Sequence, residues 1–317
     1  MEPFQLIRQV LGAWGLELGR LPEGIDLAGS PERTQMRLVA DDTCGQRLVV
    51  EKIAEKDLPH KQIIAETLDC LRKNGMVQVQ PYLKNQESGF IACIDHQYWQ
   101  IVPFVPGSVL DRPAYVHDRW RGKALAGFIL DLRHRSCVLS RTSLPAVFSI
   151  TAYIRDMVYT MSRHRAGLSR ELAPVLDWLN QDFMAVHDRL PIRFCHGDLH
   201  PLNVIWSEAG ISSVIDWEFL GFKPEVYDIA NLVGCLGMED PRCLAGDMVL
   251  ELIATLRVSG IISDAGWPIL PQFMCAVRFA WLAEWLRKDD REMIDLEMTY
   301  MKLIMDNAGD LTRLWTQ

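Results

Sequence analysis

Cys195-His196-Gly197-Asp198-Leu199-His200-Pro201-Leu202-Asn203, followed by Ile215-Asp216-Trp217-Glu218, is the stretch that decides how this chain is read. Apolar residues 192–195 lead into it, and the runs 204–206 and 212–216 flank the turn Ser207-Glu208-Ala209-Gly210. The polar residues therefore fall in a small island of predicted strands. The order H-x-D-x-x-x-x-N, then an Asp ending a strand, supplies what phosphoryl transfer on a kinase-like scaffold needs. Asp198 is the candidate base, a carboxylate that orients an acceptor hydroxyl and takes its proton. Asn203 and Asp216 are the candidate ligands of Mg2+, a hard cation that takes few protein oxygens beside phosphate oxygens. The hairpin predicted between them returns both to one end of the island. Taken singly, Asp198 reads as a loop-capping carboxylate and Asn203 as a turn former; the ordered set carries the chemistry.

Working outward, the first third reads as strand-rich. Runs 36–40 and 47–53 flank the turn cluster Asp41-Asp42-Thr43-Cys44-Gly45, and residues 89–95 and 98–104 are two further strands. Between them, residues 60–73 carry Ile64, Leu68 and Leu71 at helical spacing, ending before Asn74-Gly75. Pro103, Pro106 and Gly107 punctuate the end of this region. Beyond it, helical stripes run through Trp120 to Leu132, Leu172 to Phe183 and Leu244 to Leu252. The plan is a strand-rich lobe over 1–102, a linker over 103–107 and a helix-dominated lobe over 108–317, and cofactors commonly sit between such lobes.

His196-Gly197-Asp198-Leu199-His200-Pro201-Leu202-Asn203 with Ile215-Asp216-Trp217-Glu218 resembles the aminoglycoside phosphotransferase/choline kinase superfamily, which also includes homoserine and methylthioribose kinases. These families write H-G-D where protein kinases write H-R-D. The resemblance implies an α+β, bilobal protein-kinase-like fold, with a nucleotide-binding lobe over 1–102, a hinge over 103–107 and a catalytic, substrate-binding lobe over 108–317. It implies ATP and Mg2+ as cofactors and transfer to a hydroxyl of a small molecule: an amino acid, amino alcohol, sugar or aminoglycoside. His196 is expected to brace the loop. Asp228, at the start of an apolar helical stretch, is expected as an N-cap that, by the resemblance, also holds the catalytic loop from beneath.

Leu48-Val49-Val50-Glu51-Lys52 resembles the strand whose Lys binds the ATP phosphates. Lys52 shares its face with Val50 and Leu48, and a Lys on an apolar face needs an anionic partner; an edge lysine reaching solvent is the plainer reading. Its expected partner is Glu66, although Glu66 lies off the Ile64/Leu68/Leu71 stripe, so a solvated Glu stays open. No G-x-G-x-x-G loop is present, and Leu27-Ala28-Gly29-Ser30-Pro31 is the nearest candidate. Residues 100–107 fit, by position, the hinge that receives adenine. Arg278, Trp281, Glu284 and Trp285 are candidate acceptor contacts, with core packing the plainer reading for the two tryptophans.

The 317 residues carry a formal net charge of -8, which argues against a nucleic-acid partner. Eight cysteines are scattered without a C-x-x-C pair, which suits reduced thiols in a cytoplasmic protein. Residues 1–19 lack the features of a secretory signal, and Arg278 and Glu284 interrupt the apolar run 273–286, so no membrane association is expected. Two alternatives stand beside the small-molecule kinase: a protein Ser/Thr kinase, and a catalytically inactive kinase-like binding protein. The close spacing of Asp216 and Asp228, without an A-P-E-like motif, disfavours the first. The joint presence of Asp198, Asn203, Asp216 and Lys52 disfavours the second. His196, Asp198 and His200 also suggest a metallohydrolase, but no further cluster completes such a site.

Overall fold

In the computed structural model, residues 3–25, 27 and 34–316 are described. Leu27 is among them, but the remainder of the candidate phosphate loop, residues 28–31, lies outside them. The first elements are helix α1 (Pro3–Ala13) and strands β1 (Leu18–Arg20), β2 (Met36–Asp42) and β3 (Arg47–Ile53). Helix α2 (Leu58–Lys73) and strands β4 (Ala92–Ile94) and β5 (Gln97–Pro103) follow. Helices α3 (Arg119–Arg135), α4 (Ile150–His164), α5 (Ala166–Gln181) and α6 (Phe183–His187) lead to strands β6 (Ile192–Cys195), β7 (Val204–Ser207), β8 (Gly210–Val214) and β9 (Gly221–Pro224). The chain closes with α7 (Tyr227–Glu239), α8 (Asp247–Ser259), α9 (Leu270–Lys288) and α10 (Arg291–Thr316).

Chain contacts define two compact units. The first holds residues 1–109, 135–143 and 202–218; the second holds the rest. A single linear boundary cannot express this division, because the β7–β8 hairpin belongs with the first unit. Two backbone bridges tie it there: Val79 pairs with Val214, and Ser108 with Trp206.

The first unit is built on an antiparallel sheet in the order β1-β2-β3-β5-β4. The β2–β3 turn closes as its sequence demands. Gly45 takes a left-handed φ of 84°, open to glycine without strain, and the Gln46 amide donates to Asp42 Oδ1 at 2.7 Å. An element not assigned from sequence covers one face of the sheet. Ile7, Val10, Leu11 and Trp14 of α1 and its exit pack with Leu18, Ala40, Leu48, Val50, Trp99 and Ile101. Each Leu, Ile or Val among them, once buried, contributes about 1.5–3 kcal/mol.

The second unit is helical apart from the β6–β9 pair. Its centre is α7, whose residues from Tyr227 to Gly234 are all buried. A helix apolar around most of its circumference must be enclosed, and α9 packs against α7 and, in turn, against α10. Arg278 of α9, itself only 3 % exposed, forms a forked ion pair with the fully buried Glu297 of α10. Among the described residues no helix is long and apolar enough to cross a membrane.

Candidate active site

β6 delivers the chain into the loop that begins at His196, and the loop is held by buried polar groups of the second unit. The amides of His196 and Gly197 donate to the two carboxylate oxygens of Asp228, each at 2.8 Å. Burial pushes the Asp228 carboxyl above its ordinary value, and these two donors pull it back. Asp228 sits inside the first turn of α7, with Val226 at the N-cap position. The expected capping role is therefore corrected: its side chain serves the loop and not its own helix. His196 is fully buried, and its Nδ1 accepts from the Asp198 amide at 3.2 Å. It braces the loop.

Gly197 explains why this loop reads H-G-D. Its φ is 88°, and a Cβ there would lie 2.0 Å from the Phe219 carbonyl oxygen. No side chain fits that approach. The same carbonyl accepts a hydrogen bond from Lys223 Nζ at 2.6 Å. Burial lowers the Lys223 ammonium pKa from its ordinary value; the cation lies over the rings of Tyr227 and Phe148.

Asp198 is 8 % exposed. Asn231 of α7 donates to the Leu199 carbonyl at 3.1 Å and lies 3.5 Å from Asp198 Oδ1. His200 Nε2 stands 3.9 Å from the same oxygen. The His200 ring meets Trp281 edge-on at 6.3 Å, and Trp281 stacks on Trp285. Asn231 could be suspected from sequence only as a polar residue on the buried face of an apolar helix. Of the candidate acceptor contacts, Arg278 is engaged by Glu297, and Glu284 pairs with Arg287 and Lys288 at the surface.

In the first unit, Asn203 and Asp216 stand at the neck of the β7–β8 hairpin, where the Ile215 amide donates to the Asn203 carbonyl at 2.9 Å. Asp216 has a left-handed φ of 64°, a costly conformation for a non-glycine residue that concentrates at functional sites. This backbone pairing sets the two residues side by side at the hairpin neck, and an amide oxygen and a carboxylate are donor types that a hard divalent cation takes. Two residues on, Glu218 forms an ion pair with Lys61 of α2, a lysine only 3 % exposed. Lys61 was missed from sequence, though its signal is legible: it falls on the helical face of Ile64, Leu68 and Leu71.

Lys52 and Glu66 are not brought together. Lys52 pairs across the sheet with Met36 and Trp99, on the face that α1 covers through Leu48, Val50 and Trp99. Glu66 is exposed and accepts from Gln62 at 2.7 Å. The opposite face of the sheet borders a cavity of about 360 Å³ within the first unit. Its walls include Val49, Leu68, the 102–105 segment, Val204, Ile215 and Trp217. The expected hinge segment thus lines a cavity whose walls adjoin Asn203 and Asp216 in the chain.

A kinase-like α+β chain with this loop, clamped in this way, is a small-molecule phosphotransferase in class. Residues 30–255 match the model of the phosphotransferase enzyme family, and the chain belongs to that family. The chain is 27 % identical over 247 residues to a homoserine kinase of Bradyrhizobium sp. (strain ORS 278), covering 75 % of this chain and 72 % of that one. To a homoserine kinase of Rhodospirillum rubrum it is 26 % identical over 296 residues, covering 88 % and 86 %. Other homoserine kinases of similar identity are matched over as little as 54 % of their length. Among solved structures, a spectinomycin phosphotransferase in complex with ADP and spectinomycin superposes with a TM-score of 0.63 at 14 % identity, covering 99 % of both chains. That likeness establishes the shared fold.

Proposed function

We propose that this protein transfers the γ-phosphoryl group of ATP to a hydroxyl group of a small molecule, with a short amino acid or amino alcohol as the first acceptor class. The observation that carries the reading is Asp198 itself, on a loop whose backbone is clamped by Asp228 and whose carboxylate is neighboured by Asn231 and His200. Asp198 orients the acceptor hydroxyl and accepts its proton as the acceptor oxygen bonds to the γ-phosphorus. The bond from that phosphorus to the bridging oxygen breaks, and ADP leaves with the electron pair. Asn203 and Asp216 would hold Mg2+, which when bound neutralises charge on the β- and γ-phosphoryl oxygens. The apolar cavity bordered by the 102–105 segment suits a purine ring, and the ADP bound by the spectinomycin phosphotransferase supports a nucleotide as the phosphoryl donor.

The homoserine kinases matched along most of the chain make homoserine the first compound to try. The protein-kinase alternative is not favoured. The test is ADP release with a panel of homoserine, choline-like amino alcohols, methylthioribose and aminoglycosides, with casein alongside. Turnover with one or more small hydroxyl compounds and none with casein is expected; efficient casein labelling with silence across the panel would overturn the reading.

The metal assignment has its own measurement. Asp216→Ala should fold normally yet lose most of the rise in melting temperature that Mg-ATP gives the parent, because ligand binding stabilises in proportion to its affinity. Equal stabilisation of variant and parent would remove Asp216 as a principal ligand.

A further inference from the structure

We propose that Arg37 of β2 is the residue that grips the phosphate chain of the nucleotide, the role expected of a lysine on β3. Arg37 can do so only if the nucleotide-dependent reading above holds. With Lys52 on the face covered by α1, the cation has to come from elsewhere. Among the described residues lining the cavity, Arg37 is the only charged side chain. The other described lining residues are apolar or neutral, so among them Arg37 is the positive group that a polyanion would meet.

Strand register accounts for its position. Arg37 on β2 pairs with Glu51 on β3, which pairs with Gln100 on β5, so the three side chains stand abreast on the cavity face. Glu51 is buried and is gripped from several sides. It accepts from Gln100 Nε2 at 2.6 Å and from the Tyr82 hydroxyl at 3.4 Å, and Arg37 Nε lies 3.0 Å from its Oε1. Burial raises the Tyr82 hydroxyl well above its ordinary value, and neighbouring Glu51 adds to this, so Tyr82 stays a neutral donor.

An unpaired carboxylate on this face would repel a triphosphate. Paired with Arg37, its charge is offset and the guanidinium is drawn to this face. A guanidinium carries its N–H donors in a rigid planar fork, a geometry that matches phosphate as well as carboxylate. The pair thus works as a preorganised phosphate contact. The usual positions are exchanged: the acid stands on β3 and the cation on the neighbouring strand. The chain's own pattern is consistent with this, since Glu51, and not Lys52, alternates with Val49, a residue of the cavity wall.

The experiment compares ATP, ADP and adenosine binding, by calorimetry, in the parent, Arg37→Gln/Glu51→Gln and Lys52→Ala. The double substitution removes both charges together, so no buried carboxylate is stranded, and its melting curve without ligand reports that it is folded. The double variant should bind ATP and ADP at least about 10-fold more weakly, the usual scale of a charge-assisted hydrogen bond, with adenosine affinity unchanged. Lys52→Ala should bind ATP as the parent does. A folded double variant with parental ATP affinity, or equal losses for ATP and adenosine, overturns the role of Arg37 alone. A large, phosphate-dependent loss in Lys52→Ala restores the β3 lysine and overturns it also. Should the double variant fail to fold, Arg37→Lys, which keeps the charge but not the fork, takes its place: a parental ATP affinity there, with adenosine unchanged, overturns the forked contact, and a phosphate-dependent loss supports it. A parent that binds neither ATP nor ADP overturns the kinase reading and this proposal together.

Discussion

In the Asp198→Ala variant, kcat with the acceptor the parent uses should fall by about 10²–10⁴-fold, the scale of losing a positioned base, while Mg-ATP affinity stays nearly unchanged. The expectation follows from how the carboxylate is presented. Its loop is fixed through the Asp228 clamp, and Asn231 sits 3.5 Å from one of its oxygens. Little reorganisation remains to be made when the acceptor arrives. Asp198→Asn keeps the shape but cannot take the proton, and should fall nearly as far. Single-turnover measurements at saturating nucleotide make the check, with circular dichroism showing both variants folded. Turnover near the parental value in either would remove Asp198 from the role of base. A large loss in Asp198→Ala with recovery in Asp198→Asn would reassign it to orienting the acceptor without accepting its proton.

The largest expected effect on stability lies in the helical unit. Glu297→Ala should destabilise the fold by about 3–5 kcal/mol, because it leaves the guanidinium of Arg278 buried without its carboxylate. Both partners are shielded from water, with Nε of Arg278 donating to Oε2 at 2.8 Å and Trp285 Nε1 donating to the other oxygen at 3.3 Å. The pair joins α9 to α10, so the cost should appear as a lower urea midpoint for the unit those helices build. Replacing both residues, Arg278→Met with Glu297→Leu, should recover much of the loss, since a packed apolar pair of similar volume often equals a buried ion pair. A Glu297→Ala variant that unfolds at the parental midpoint would show that the pair contributes nothing to the fold.

Much of the first unit's local structure was legible. Runs 36–40, 47–53 and 98–104 lie within or overlap β2, β3 and β5, and residues 60–73 fall inside α2. These are short-range signals: alternation, helical spacing and turn residues act between near neighbours. The loop His196 to Asn203 was legible for a related reason, since its chemistry requires given residue types at fixed spacing. Ile7, Val10, Leu11 and Trp14 show the helical spacing of α1, but an apolar stripe does not say which sheet it covers.

By itself, then, the sequence determined β2, β3, β5 and α2, the α+β class, and the loop that carries Asp198 and Asn203, with Asp216 just after the hairpin that follows it. It also determined that Lys52 sides with Leu48 and Val50, and Glu51 with Val49, because a strand's side chains alternate whatever surrounds it. Which of those two faces meets the cavity was decided only by tertiary structure. Alternation defines two faces but does not say what covers either. Here α1, far from β3 in the chain, buries the Leu48 and Val50 face and leaves Arg37 and Val49 toward the cavity. The Asp228 clamp, the Arg278–Glu297 pair and the docking of the β7–β8 hairpin on residues 79 and 108 are decisions of the same kind. Each joins groups distant in sequence, and burial makes the partner obligatory without any local signal naming it.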